Sequence, residues 1–237
     1  MTPRLQYRIA AALVLWAALV ALPTSSSAQK LSKQGRRWVA ELENRFPVQP
    51  GGRLHMHDIS GDVTIRSWDK PEVYILERRR MDVFTREEAE EALKRAQAGY
   101  RQVGNTVEVD GSEFHRRWTE SSFAVQVPAR FDVEVATSGG NLSLVSVHGA
   151  IKLKTAGGDI TMRDTGGEAQ LSTSGGDIVV EGNDGMLTAV TAGGDISARR
   201  ISQRAKLTTS GGDIESHEIG GTVEASTAGG DITVSDC

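Results

Sequence analysis

Six oxygen-bearing side chains recur at one interval. Asn141, Asp159, Asp177, Asp195, Asp213 and Asp231 each stand 18 residues after the last. Carboxylates are the ligands of hard divalent cations, so Asp159, Asp177, Asp195, Asp213 and Asp231 are the calcium candidates of this chain. If the interval is one lap of a stacked chain, like charges stand ~4.8 Å apart. Each neighbouring pair then costs roughly 0.9 kcal/mol even at a dielectric near 80. A cation can compensate, or each carboxylate can accept backbone N–H groups at an adjacent Gly-Gly bend, as in an Asx turn. The second is the expectation. Calcium-binding nonapeptide repeats carry Gly-Gly-x-Gly-x-Asp at half this spacing, which the units lack, and Asn141 sits in the column without charge. No metal or cofactor is therefore assigned.

Other constellations are thinner. Thr137, Thr155, Thr173, Thr191, Thr209 and Thr227 form a second column, expected as an ordinary threonine ladder rather than an exposed hydroxyl array of the ice-binding kind. His55 and His57 share a strand face at i,i+2 and can hold a metal only if a third ligand meets them; none is evident in the sequence. His115-Arg116-Arg117-Trp118 is basic and aromatic, suited to an anionic glycan or lipid, and reads as a solvated strand face. Catalysis needs a nucleophile, a base and a stabiliser in one place. The repeats offer one basic cluster, Arg199-Arg200 with Arg204 and Lys206, expected to neutralise neighbouring aspartates. No catalytic residue is assigned and the chain is read as non-enzymatic. The single cysteine, Cys237, excludes an internal disulfide and a cysteine-based zinc site.

These columns belong to a repeat. The string Thr-(Ser/Ala)-Gly-Gly-(Asp/Asn)-(Ile/Leu) begins at each of the six threonines without insertion or deletion, giving five full units and an eleven-residue sixth. Eighteen residues are too few for a helical repeat or a propeller blade. Within a unit, apolar residues alternate as in strands: Ile160/Met162 and Ile178/Val180 after Gly-Gly, then pairs such as Ile151/Leu153 and Leu187/Ala189. Each unit thus reads as two short strands and two bends. Gly-Gly makes one bend through positive φ, and a stretch such as Gly182-Asn183-Asp184-Gly185 makes the other. One unit cannot bury its apolar face alone, whereas stacked units share a core. The expected architecture is all-β: a β-solenoid of 18-residue coils over 137–237, roughly 26 Å long at ~4.8 Å per coil. Bulk also swaps between coils, from Ala169/Leu171 to Leu187/Ala189 and from Ala205/Leu207 to Val223/Ala225, which keeps layer volume near constant. A meander of hairpins is the alternative.

The rest of the chain divides by composition. Residues 1–28 hold Arg4 and Arg8, no acid, the apolar run Ile9–Leu22, and Ser26 and Ala28 at signal-peptidase spacing before Gln29. An export signal and a mature chain without a transmembrane span are expected, in the periplasm, at the cell surface or outside the cell. The remaining 25 basic and 31 acidic residues argue against nucleic-acid binding. At 38% hydrophobic residues the chain is too apolar for wholesale disorder. Residues 29–50 read as a linker, with Arg36–Phe46 a short helix or edge strand. Residues 51–136 read as a small β-rich cap containing one α-helix near 86–98. A capping box of Thr85 and Glu88 starts that helix, Ala89, Ala92, Leu93 and Ala96 line one face, and Glu90 and Lys94 form an i,i+4 pair. Ile59-Ser60-Gly61-Asp62-Val63-Thr64-Ile65 echoes the later repeat as a degenerate coil. The last unit stops midway, leaving an edge suited to edge-to-edge self-association.

Taken with Phe46-Pro47-Val48-Gln49-Pro50-Gly51-Gly52, Ser60–Asp69, the Arg86–Ala96 helix and Val127-Pro128-Ala129, the repeats resemble the bacterial putative-adhesin family of exported β-strand repeat domains over residues 46–237. That family is formally a domain of unknown function. The resemblance implies a β-solenoid at or beyond the cytoplasmic membrane with a binding or adhesive role; the repeat and the missing active site make a glycan, envelope polymer or protein the expected ligand. An envelope stress or signalling component acting through protein contacts is the alternative, and a polysaccharide-acting enzyme a third reading. It carries over no catalytic residue.

Overall fold

The computed structural model describes residues 26–97, 99–112 and 119–237. The repeats fold as two parallel β-faces that share one interior. One face carries β10 (Leu142–Val145), β12 (Ile160–Gly166), β14 (Ile178–Asp184), β16 (Ile196–Ile201), β18 (Ile214–Ile219) and β20 (Ile232–Ser235). The other carries β11 (Ile151–Thr155), β13 (Ala169–Ser172), β15 (Leu187–Val190), β17 (Ala205–Thr208) and β19 (Val223–Ser226). Each strand pairs in parallel with the residue 18 positions on, as in Ile160↔Ile178↔Ile196↔Ile214 and Ala169↔Leu187↔Ala205. Parallel pairing at that offset is a solenoid, and a hairpin meander is excluded.

The expected swaps of bulk lie in register. Ile151, Ala169, Leu187, Ala205 and Val223 form one inner column, and Leu153, Leu171, Ala189, Leu207 and Ala225 the next. On the opposing face one column shrinks from Leu144 through Met162 and Val180 to Ala198 and Ser216. At the small end of that column Ser216 Oγ is buried with no hydrogen-bond partner among the protein groups.

The N-terminal part continues both faces. It contains β1 (Ser26–Gln34), β2 (Arg37–Pro47), β3 (Gly52–Ile59), β4 (Asp62–Trp68), β5 (Glu72–Met81), α1 (Arg86–Gln97), β6 (Tyr100–Val103), β7 (Thr106–Asp110), β8 (Thr119–Pro128) and β9 (Phe131–Thr137). Strand order is β1-β2-β5-β8-β4-β10 and onward in one sheet, and β6-β7-β3-β9-β11 and onward in the other. The echo at 59–65 is therefore a true coil. Val63 and Ile65 lie beside Leu142 and Leu144 in parallel register, although 79 residues separate each pair. The β7–β8 lap lies on the far side of the β3–β4 lap, so the chain skips across that lap between β8 and β9.

Residues 29–50 are not a linker. Alternating burial through Ala40, Leu42, Asn44 and Phe46 lets β2 pair antiparallel with β5 on one side and β1 on the other. The helix forms as its capping box dictates. Thr85 Oγ1 accepts the Glu88 N–H, and Glu88 Oε2 accepts those of Thr85 and Phe84. It buries Ala89 and Leu93 against Ala40, Leu42 and Met81. Glu90 takes Arg86 as its ion partner at 2.7 Å. The expected cleavage point after Ala28 falls within β1, while residues 1–25 and His115-Arg116-Arg117-Trp118 lie outside the described residues.

Candidate functional site

The aspartate column is a hydrogen-bond ladder between coils. Asp159 Oδ1 accepts the Asp177 N–H at 2.9 Å, Asp177 accepts that of Asp195 at 2.8 Å, and Asp195 and Asp213 each continue the ladder at 2.7 Å. Asp62 and Asn141 start it through the same atom. The compensation anticipated for the like charges is present, but across coils rather than within each residue's own bend. Every carboxylate in the stripe is exposed, so water screens what repulsion is left.

Thr137, Thr155, Thr173, Thr191 and Thr209 are buried and Thr227 half-buried, which removes any flat hydroxyl array. Thr191 Oγ1 donates to the Gly176 carbonyl at 2.9 Å in one coil and accepts the Gly194 N–H at 3.3 Å in its own, and Thr155, Thr173 and Thr209 do the same. The Gly-Gly bend also works differently from expectation. Of these bends only Gly140 has a positive φ, whereas a Cβ on the second glycine of each later pair would stand 2.0–2.2 Å from a carbonyl oxygen of the coil beside it. Close stacking requires the glycine. The left-handed bend sits elsewhere, at Ser146, Asp164, Gly182, Arg200, Glu218 and Asp236, with φ between 49° and 85°. Arg199, Arg200 and Arg204 pair with Glu215, Glu181 and Glu224, not with the aspartates.

Among the described residues, a close group of titratable side chains lies on the outer face of β3, β7 and β9. Parallel register places His55 opposite Glu108 on one side and Glu134 on the other, with His57 opposite Asp110. The β3–β9 register slips between Met56 and Ile59, and Asp58 takes φ 51°. This bulge sets Asp58 Oδ2 at 2.9 Å from His57 Nδ1, while His57 Nε2 lies 3.0 Å from Glu108 Oε1. His55 lies beside it, ring centroids 4.8 Å apart. Arg101 closes the far side, its Nη2 donating to Glu108 Oε1 at 2.6 Å and its Nε to Oε2 at 2.8 Å.

The electrostatics follow from those contacts. The Asp58 hydrogen bond raises the His57 pKa against partial desolvation, and Glu108 adds to the rise. Arg101, then His57, hold Glu108 down to about 2, and the Ser112 backbone N–H lowers Asp110. The cluster sets His57 between the carboxylates of Asp58 and Glu108, which favour its protonated form. It also offers two nitrogens and an oxygen, from His55, His57 and Glu108, within 4.8 Å of one another. Thus the third partner of the two histidines is Glu108, 51 residues away from His57. Val107 and Val109 alternate with Glu108 and Asp110, which marks both acids as outward-facing. Nothing local, however, says that β7 lies beside β3.

A second polar group is buried where β5 leaves the solenoid. Glu77 accepts from Arg79 at 2.6 Å, from the Tyr100 hydroxyl at 2.7 Å and from Ser121 at 3.1 Å. Burial, with Glu77 alongside, pushes the Tyr100 phenol well above its usual value. Val73 and Ile75 lie in the solenoid core and Met81 in the cluster under α1, so this ion pair separates two apolar clusters.

Residues 77–236 match the model of the Toastrack DUF4097 family. No curated protein matches the chain. Among solved structures, a putative adhesin of Bacteroides fragilis is 15% identical at a TM-score of 0.45, covering 86% of this chain and 98% of its own. A putative lipid binding protein of Parabacteroides distasonis is 14% identical at 0.42, covering 81% and 96%. A putative cell adhesion protein of Clostridium sporogenes is 8% identical at 0.38, covering 90% and 99%.

Proposed function

Since the chain belongs to the Toastrack DUF4097 family, we propose that it is a non-catalytic exported protein of the cell envelope that binds a polymeric glycan along its solenoid. The observation that carries this reading is the outer row Ser143, Thr161, Val179, Ser197, Glu215 and Thr233, one residue per coil in unbroken parallel register. A polymer laid across it meets one side chain every ~4.8 Å, with hydroxyls at Ser143, Thr161, Ser197 and Thr233. Export is inferred from the apolar run and small-residue site within residues 1–28.

The test is co-sedimentation of the full chain, produced in a bacterium, with insoluble envelope polysaccharide, together with mass spectrometry of the exported form. Sedimentation that falls severalfold in a Thr161→Arg/Ser197→Arg variant, and an N-terminus at Gln29, support the reading. A chain that stays in the supernatant overturns the ligand class. Product release lost on Arg200→Ala would make it an enzyme. A second reading, strand addition to a protein partner or another copy, is favoured by Ile232 and Val234, which are 44% and 45% exposed on the edge strand β20. Concentration-dependent dimerisation in light scattering tests it.

A further inference from the structure

We infer that His55, His57 and Glu108 form a binding site for one divalent transition metal of the zinc class, on the outer face of the nine-stranded sheet. The inference is independent of glycan binding. Two imidazoles and a carboxylate suit zinc and its neighbours, whereas calcium and magnesium require oxygen ligands. Donors on one tetrahedral zinc stand roughly 3.3 Å apart at bond lengths near 2.0–2.1 Å. Here the three donor atoms already lie within 4.8 Å, with His57 Nε2 and Glu108 Oε1 at 3.0 Å. Small side-chain rotations close the remainder, and β3 and β7 hold the two backbones in fixed register.

The surroundings are those of a metal-bound histidine. Asp58 engages His57 Nδ1 at 2.9 Å, which leaves Nε2 to the ion and orients the ring, the carboxylate–histidine–metal arrangement. The bulge at Asp58 is what puts that carboxylate there. Asp110 lies opposite His57 and adds negative charge, while Glu134, opposite His55, is paired with Lys152 at 2.9 Å. Arg101 competes for Glu108, but its side chain is 63% exposed, so it can leave Oε1 and keep Oε2. Three protein ligands leave a fourth position for water.

The experiment is calorimetric titration of the full chain carrying Cys237→Ser with zinc chloride, in excess calcium and magnesium. One equivalent should bind. His55→Ala and His57→Ala should each weaken binding tenfold or more, Asp58→Asn about ten- to a hundredfold, and Asp177→Asn should leave it unchanged. Thermal melts in chelator check that each variant folds. Should a histidine variant not fold, zinc-induced shifts of the imidazole C–H resonances decide in the Cys237→Ser chain, since both His55 and His57 must move. No binding, binding indifferent to His57→Ala, or binding lost instead on His217→Ala overturns the inference.

Discussion

Replacing single glycines separates two demands that the bends make on the chain. A Cβ on Gly194 would stand 2.2 Å from the Gly176 carbonyl oxygen and 2.5 Å from Asp177 Oδ1. Carbon–oxygen contacts are comfortable at about 3.3–3.6 Å, so the coils must part by roughly 1 Å at that point. Parting them strains the Asp195 N–H bond to Asp177 and the Thr191 hydroxyl bond to Gly176. Overpacking costs about 1–3 kcal/mol and each hydrogen bond lost about 1 kcal/mol more, so Gly194→Ala should destabilise by about 3–5 kcal/mol. Gly193 next to it has 3.6 Å of clearance and no positive φ, so Gly193→Ala should be neutral, or stabilise by up to about 1 kcal/mol through the unfolded chain. Gly182 sits at φ 85° with its nearest atom 3.2 Å away, so Gly182→Ala should cost about 1–2 kcal/mol from backbone strain alone. Urea unfolding followed by far-UV circular dichroism measures all three. Equal losses for Gly193→Ala and Gly194→Ala, or a greater loss for Gly182→Ala, would refute the close-stacking reasoning.

Three other outcomes follow from the same contacts. Asp177→Asn keeps the oxygen that accepts the Asp195 N–H, as Asn141 does naturally for Asp159, and should shift stability by no more than about 0.5 kcal/mol, whereas Asp177→Ala should cost about 1 kcal/mol, both read from urea unfolding. Ser216→Ala removes a buried hydroxyl without a partner and should raise stability by about 1 kcal/mol in the same assay; a loss would mean that the hydroxyl is satisfied. In metal-free protein, Glu108 contributes stability above its unfolded value of 4.5 and loses it as pH falls towards about 2. His57, with a raised pKa, contributes fully below 6.5 and loses its share as pH rises through the folded value. The gap in melting temperature between the parent chain and Glu108→Gln should therefore be widest between pH 4.5 and 6.5, and a gap that is flat with pH would contradict the pairing.

The solenoid was legible because its periodicity is local to each unit and repeats without error. Thr137 and its equivalents mark the register, and the alternation of Ala169/Leu171 with Leu187/Ala189 marks which residues face inward. The N-terminal laps were only half legible. The Asp62-Val63-Thr64-Ile65 echo identified a coil, yet its neighbours are far away in sequence, and no pattern reports that β7 and β9 flank β3. For the same reason His55 and His57 were visible as a pair while Glu108 was not. The second bend was legible as a bend at Gly182-Asn183-Asp184-Gly185, but its left-handed backbone was not, because only Gly182 among its six residues is a glycine; Asp164, Arg200 and Glu218 hold positive φ with ordinary side chains. The linker reading of 29–50 failed on mixed, strongly charged strands whose alternation becomes clear only beside β5.

Stacking of successive 18-residue laps in parallel register is tested most directly by disulfide trapping in a Cys237→Ser chain. Thr188 and Lys206 are paired neighbours on the outer face, and adjacent strands bring their Cα atoms to about 4.8 Å, inside the disulfide range. Thr188→Cys/Lys206→Cys should form an intramolecular bridge rapidly under mild oxidation. Thr188→Cys/Thr208→Cys, offset by two residues and roughly 8 Å apart, should not. Equal trapping of both pairs, or preference for the second, would contradict the coil register.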